Sequence, residues 1–319
     1  MLAIHLICVN VAAGGPVVAA WLDWRSRNGD AAAARAAKML AASAIVAFLL
    51  GGLFGFAVGW LKWTPDYASL WLGRLRYKLD WGVAELLFSL LLMIGHWLWL
   101  PGNIAKSNWR RWAFATRTAI ALLTTTNLLY HFPPLFSVAA RLHAAGEING
   151  PPARGALFRQ WMFSGETPPL SVHVGLASLA MAGMMLILMA SRWMNGAADA
   201  EKSRVAIWGA WWALAATLLQ LPVGLWMLMM LPAGVQSRLM GSDTIATLAF
   251  LTAILAVLWL MRDLANLALG DTTRASLVRS LMAMGIVILL MTLMQQRAAR
   301  TEPASAAISS NSTGVLHGR

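Results

Sequence analysis

Residues 2–22 read LAIHLICVNVAAGGPVVAAWL, an apolar run without a single Asp, Glu, Lys or Arg. A helix needs about 20 apolar residues to cross the hydrocarbon core of a bilayer, and this run meets that length. It has no basic n-region and exceeds the roughly 7–15 apolar residues of a secretory leader. We expect it to be a first transmembrane helix rather than a cleaved signal.

The same pattern recurs along the chain. Spans are expected near 2–23, 40–62, 81–100, 112–132, 171–193, 205–231, 243–262 and 276–295. In lipid every backbone polar group must be satisfied internally, so only helices or closed barrels span. Barrel strands alternate apolar and polar positions, and these continuous runs do not. The fold class is therefore an all-α polytopic membrane bundle of about eight helices. It divides into a first four-helix bundle (1–132), an outer loop (133–170), a second four-helix bundle (171–296) and a C-terminal tail (297–319).

Composition agrees. The 319 residues are 59% hydrophobic and 12% charged, where soluble domains are about a quarter charged. The net charge of +12 does not indicate nucleic acid, because the cations lie between apolar runs rather than on one polar face. Cys8 is the only cysteine, so neither an intrachain disulfide nor Cys-x-x-Cys-His haem attachment is available.

Lys and Arg divide 14 to 11 between alternate loop sets, the larger set (which includes Arg117) occupying the shorter loops. The positive-inside rule weights short loops most, which places both termini outside, in a bacterial inner membrane periplasmically. Trp21, Trp24, Trp60, Trp63, Trp97, Trp99, Trp109, Trp112 and Trp193 fall at span ends, where an amphipathic ring prefers the interface. Two connections, 63–80 and 133–170, are long. The second is punctuated by Pro133-Pro134, Pro151-Pro152 and Pro168-Pro169, with a surface helix expected over Ala153 to Phe163.

An ionisable residue inside a span is costly and marks function by default. His5, Glu85, His96, His131 and His173 qualify; Asn10, Asn127 and Gln220 are polar but uncharged. Asp243 opens a span and reads as its cap. His5, His131 and His173 fall at the outer ends of their spans. Imidazoles at one depth in a helical bundle suit a b-type haem, whose iron takes His or Met ligands; they equally suit water-exposed interfacial sites. Among 18 methionines, Met240 stands out because Arg238 lies two residues away, and Arg pairs carboxylates such as haem propionates. Glu85 and His96, eleven residues apart, share a helix face about 16 Å apart in depth. Glu85 reads as a proton-relay or haem-edge group and His96 as structural.

These residues together resemble subunit I of the cytochrome bd quinol oxidases over spans one to seven. The resemblance rests on Ala3-Ile4-His5-Leu6-Ile7 followed by Gly14-Gly15-Pro16, and on Gly51-Gly52-Leu53-Phe54-Gly55 leading to Trp60–Trp63. Ala84-Glu85-Leu86, Ser171-Val172-His173-Val174-Gly175 and Arg238-Leu239-Met240 complete it. It implies that His173 and Met240 are axial ligands of a low-spin haem b, with Arg238 at its propionates. His5 would ligate a second haem beside Glu85.

The departures are equally specific. Only 231–242 joins spans six and seven, so the family's quinol-binding loop is missing. Met93 stands near the place of a second acid in span three. Span eight, 275–294, carries no carboxylate. The family's third-haem ligand, its Gly-Arg-Gln-Pro-Trp run and its ninth span are also missing. The chain reads as a short, divergent relative, and three haems are not expected. The function expected from this is electron transfer in a respiratory oxidoreductase complex, exchanging with a periplasmic c-type cytochrome. Whether oxygen is reduced stays open. Two other readings fit the same residues: a haem-free structural anchor subunit, or a transporter whose proton path uses Glu85 and His96.

Overall fold

The computed structural model describes residues 1–101, 111–192, 194 and 196–298. Its helices are α1 (Leu2–Ser26), α2 (Ala31–Leu61), α3 (Pro65–Ser69), α4 (Arg76–Trp99), α5 (Arg111–Ala144) and α6 (Gly155–Met162). They continue as α7 (Thr167–Arg192), α8 (Asp199–Met230), α9 (Ala233–Ser237), α10 (Thr244–Ala268) and α11 (Arg274–Ala298), with π turns at Leu70–Arg74 and Arg238–Ser242. Among the described residues there is no strand. The chain is an all-α, polytopic membrane bundle, as its apolar runs require. Lys106, Trp109, Arg110, Trp193 and the tail beyond residue 298 lie outside the described residues.

Seven helices, α1, α2, α4, α7, α8, α10 and α11, are long and apolar enough to cross a membrane. The remaining expected span, 112–132, lies within α5, whose 34 residues suffice in length. Its run of threonines with Arg117 and Asn127 makes it the most polar of the set. The outer faces are what lipid requires. Leu49, Leu53 and Phe56 on α2, Leu87 and Leu91 on α4, and Leu251 and Leu255 on α10 are all exposed in mid-helix. Stripes of this kind are rare on water-facing surfaces.

Inside, small residues replace the bulky core of a soluble protein. Lipid tails are as apolar as leucine, so helix association in a bilayer depends on close backbone approach. A Cβ at Gly14 of α1 would lie 2.0 Å from the Ser178 carbonyl oxygen of α7. Gly183 of α7 and Gly209 of α8 face each other, each hypothetical Cβ 2.5 Å from the other's carbonyl oxygen. Between α1 and α2 the fit is made by Gly15 against Ala44 and by Gly51 against Val9. Helix α1 is thus surrounded by α2, α5 and α7, and Val11, Val18, Ala19 and Leu22 are sealed within.

Capping is local and legible. Asp30 accepts from the amides of Ala32 and Ala33 to start α2. Asp243 accepts from Ala246 N at 2.9 Å to start α10, the cap its position predicts. At the C-terminal end of α4, the Lys38 ammonium donates to the carbonyls of Trp97 and Leu100, satisfying groups that a helix end leaves unpaired.

One boundary differs from expectation. Helix α5 does not stop at Pro133-Pro134 but continues to Ala144. Proline inside a helix removes a hydrogen bond and costs about 3 kcal/mol. Here the turns beyond it bury Leu135, Val138, Ala139 and Leu142 against Leu70, Leu75 and Phe158, and that burial outweighs the loss. Pro168-Pro169 stands in the first turn of α7, where proline is well tolerated. The expected surface helix is present as α6, burying Phe158 and Met162 one turn apart. A small second core therefore caps this end of the bundle. Arg74 ties it together, donating to the Glu147 backbone oxygen at 2.6 Å and lying over the Trp161 ring.

Candidate functional site

Cross-helix contacts fix the depth of each candidate. Thr125 donates to Ala13 O at 2.7 Å and Arg117 reaches Asp23, so α5 runs antiparallel to α1. Ser137 meets Thr167 at 3.0 Å, and Gly175 faces Leu129, so α5 is also antiparallel to α7. Helices α1 and α7 are therefore parallel neighbours. Ser178 donates to Asn10 Oδ1 at 2.9 Å across a sequence offset of 168. His173 and His5 have that same offset, so the seam sets the two imidazoles at one depth. The register of Thr125 on Ala13 and of Leu129 on Gly175 puts His131 of α5 at this level too, and Glu85 of α4 joins it, Oε1 3.7 Å from His131 Nε2. The four groups occupy one layer near the end of the bundle that carries the N-terminus.

Within that layer their settings differ. His5 Nδ1 is 2.8 Å from Gly51 O. A carbonyl can only accept, so Nδ1 is the donor, and of the two neutral tautomers this contact selects the one whose lone pair is at Nε2. Gly55, one turn further along α2, packs on the ring: a Cβ there would be 2.7 Å from His5 Cε1. The Gly51-x-x-x-Gly55 spacing thus supplies both the acceptor and the room that orient this imidazole. A His held through one nitrogen with the other free is the usual condition of a metal-ligating His.

His173 lies in the first turns of α7. Gln220 of α8 donates to its backbone oxygen at 3.4 Å, while its ring Nδ1 is buried without a hydrogen-bond partner. A buried polar atom left unpaired costs about 1–3 kcal/mol and is an opening for an axial bond. Met240 and Arg238 share the π turn ahead of α10, at the same end of the bundle as His173. Gly241 breaks the helix there with φ of 136°, a conformation that favours glycine. Met240 is 72% exposed, and its turn packs on α9, α10 and α11. Imidazole, thioether and guanidinium are the side-chain types a b-type haem uses; the structure brings His5 and His173 to one depth and leaves Met240 largely exposed on its turn.

Glu85 and His131 form a second unit. Asn127 braces it, donating to Glu85 O at 3.1 Å and to Ser89 Oγ at 2.9 Å. The pair lines a cleft of about 340 Å³ between α4, α5 and α6, whose walls include Lys78, Trp81, Tyr130 and Arg159. Pairing with His131 rather than with His96 is a placement that a single helix face does not disclose. His96 itself is buried, its Nε2 without a partner, in the half of the bundle nearer Arg117 and Lys38.

The residues that sequence reasoning missed are Asp23 and Arg117. Arg117, counted above among the loop cations, is buried in the bundle. Its Nε donates to Asp23 Oδ2 at 2.8 Å and its Nη2 to Oδ1 at 3.3 Å, with side-chain exposures of 2% and 1%. The available signal was an Arg five residues inside an expected span, whose cost demands a partner. In the described residues no three His, Cys, Asp or Glu side chains group as a metal site. No family model matches the chain, and no curated protein is found to match it.

Proposed function

We propose that this multi-pass protein is a b-type cytochrome of the membrane, transferring electrons as one component of a respiratory complex. The observation that carries the reading is the His5 ring, held by Gly51 and Gly55 of α2 with its Nε2 lone pair free, level with His173. His173 and Met240 would hold a low-spin haem b with Arg238 at its propionates, and His5 would hold a second haem. Bound there, haem supplies one-electron exchange at its iron. The chain's own residues do the rest. The tight α1–α7 seam excludes water, Gly51 orients the ring of His5, and Glu85 and His131 stand side by side at the same depth. The natural exchange partner is a c-type cytochrome docking at this end, which the excess of basic short loops at the other end makes the periplasmic face of a bacterial inner membrane, with both termini there.

A reduced-minus-oxidised spectrum of the purified chain, with and without carbon monoxide, tests this. The expected result is a b-type band. His173→Ala should abolish its low-spin component, and His5→Ala should leave that component and remove any carbon monoxide response. A purified, folded chain with no haem band would overturn the reading. The Glu85–His131 pair would then favour proton-coupled transport instead.

A further inference from the structure

The cleft between α4, α5 and α6 has a chemistry that electron transfer does not use. Its inner end holds the Glu85–His131 pair. Lys78 lies seven residues closer to the helix start than Glu85, about 10 Å nearer the membrane surface at 1.5 Å per residue. Arg159 of α6 lines the same cleft as Lys78. The Lys78 ammonium is 4.3 Å from the centre of the Phe158 ring. No acidic side chain pairs with either cation among the described residues. Two like charges held together without a counter-charge are unfavourable, and an anion between them removes that cost. The adjoining wall is apolar and lipid-facing: Trp81 is 54% exposed, and Leu135 and Met162 floor the cleft.

We infer that this cleft is a binding site for an anionic phospholipid of the adjoining leaflet, its phosphate between Lys78 and Arg159 and an acyl chain along Trp81. The arrangement matches an amphiphile end to end: cations at headgroup level, aromatic and aliphatic surface below, and the only carboxylate paired and kept deeper. A zwitterionic headgroup would bring its own ammonium to a mouth already doubly positive, so the site selects net negative charge. The inference stands whether or not the chain holds haem.

The test uses the full chain purified in mild detergent. Retained lipid is counted by native mass spectrometry after adding phosphatidylglycerol or phosphatidylcholine with identical chains. One phosphatidylglycerol should be retained about tenfold more tightly than phosphatidylcholine. The Lys78→Gln, Arg159→Gln double variant should lose that preference, and Lys78→Arg, Arg159→Lys should keep it. Equal retention of the two lipids by the unmodified chain overturns the site, as does an undiminished preference in the Gln variant. Displacement of phosphatidylglycerol by low-millimolar inorganic phosphate would show a free-anion site and overturn the lipid. Displacement by a short-chain quinone instead of by anionic lipid would do the same. If the Gln variant does not fold, the comparison of the two lipids on the unmodified chain decides alone.

Discussion

Arg117→Met should destabilise the protein by about 3–5 kcal/mol, the usual cost of breaking a buried ion pair from one side. The reason is what stays behind. Asp23 is 1% exposed and receives both of its guanidinium hydrogen bonds from Arg117. Methionine fills much the same volume but leaves a carboxylate in the bundle without a hydrogen-bond donor, with Arg27 as its remaining neighbouring charge. Removing both charges is a different perturbation. Asp23→Leu combined with Arg117→Met replaces the pair by apolar volume, a change that is often neutral or stabilising. The single variant should therefore unfold far earlier in detergent than the double variant. A single variant as stable as the unmodified chain would show that the pair carries no structural weight.

Gly14→Ala should be nearly as severe, although it adds one methyl group. That methyl would sit 2.0 Å from the Ser178 carbonyl oxygen and 2.4 Å from its carbon. Both are backbone atoms and cannot rotate away. Helices α1 and α7 must separate by more than an ångström, opening the seam that joins Asn10 to Ser178. Overpacking of this kind costs about 1–3 kcal/mol or more. Because the same seam levels His5 with His173, any haem signal should shift or weaken along with stability. Gly52→Ala is the control. It lies in α2 with open space around its position, so alanine's better helix propensity should leave stability unchanged or slightly raised. Equal unfolding temperatures for the Gly14 and Gly52 variants would contradict the close approach.

Much of this architecture is legible in single segments. Seven apolar runs became seven membrane-length helices because burying a backbone in lipid leaves little choice but helix. The common depth of His5, His131 and His173 was legible for a related reason: each stands near the same end of its span, and alternating spans fix which end. What was not legible depends on which helix lies beside which. Glu85 shares a face with His96, but its partner is His131, because α5 rather than a deeper turn of α4 is its neighbour. Arg117 looked like a loop cation until α1 brought Asp23 to it. Pro133-Pro134 looked like a terminus because local chemistry favours one, and only the packing of Leu135, Val138 and Leu142 against residues 70–75 overrides that preference. Gly14 carries the same lesson. As a motif letter it suggests kinship, whereas its physical role is set by a carbonyl on α7.

The Asp23–Arg117 pair also sets a timetable. The two residues are 94 positions apart, and at roughly 5–20 residues per second of synthesis Arg117 is made about 5 to 20 s after Asp23. For that interval a membrane-bound nascent chain holds a carboxylate whose permanent partner does not yet exist. The seam to α7 closes later still, since Ser178 follows Asn10 by 168 positions, about 8 to 34 s at the same rate. Helix α1 is thus made before every helix it packs against and is among the last to be finished. The contacts that hold α1 therefore form in the order of their sequence separations, the Asp23–Arg117 pair before the Asn10–Ser178 seam.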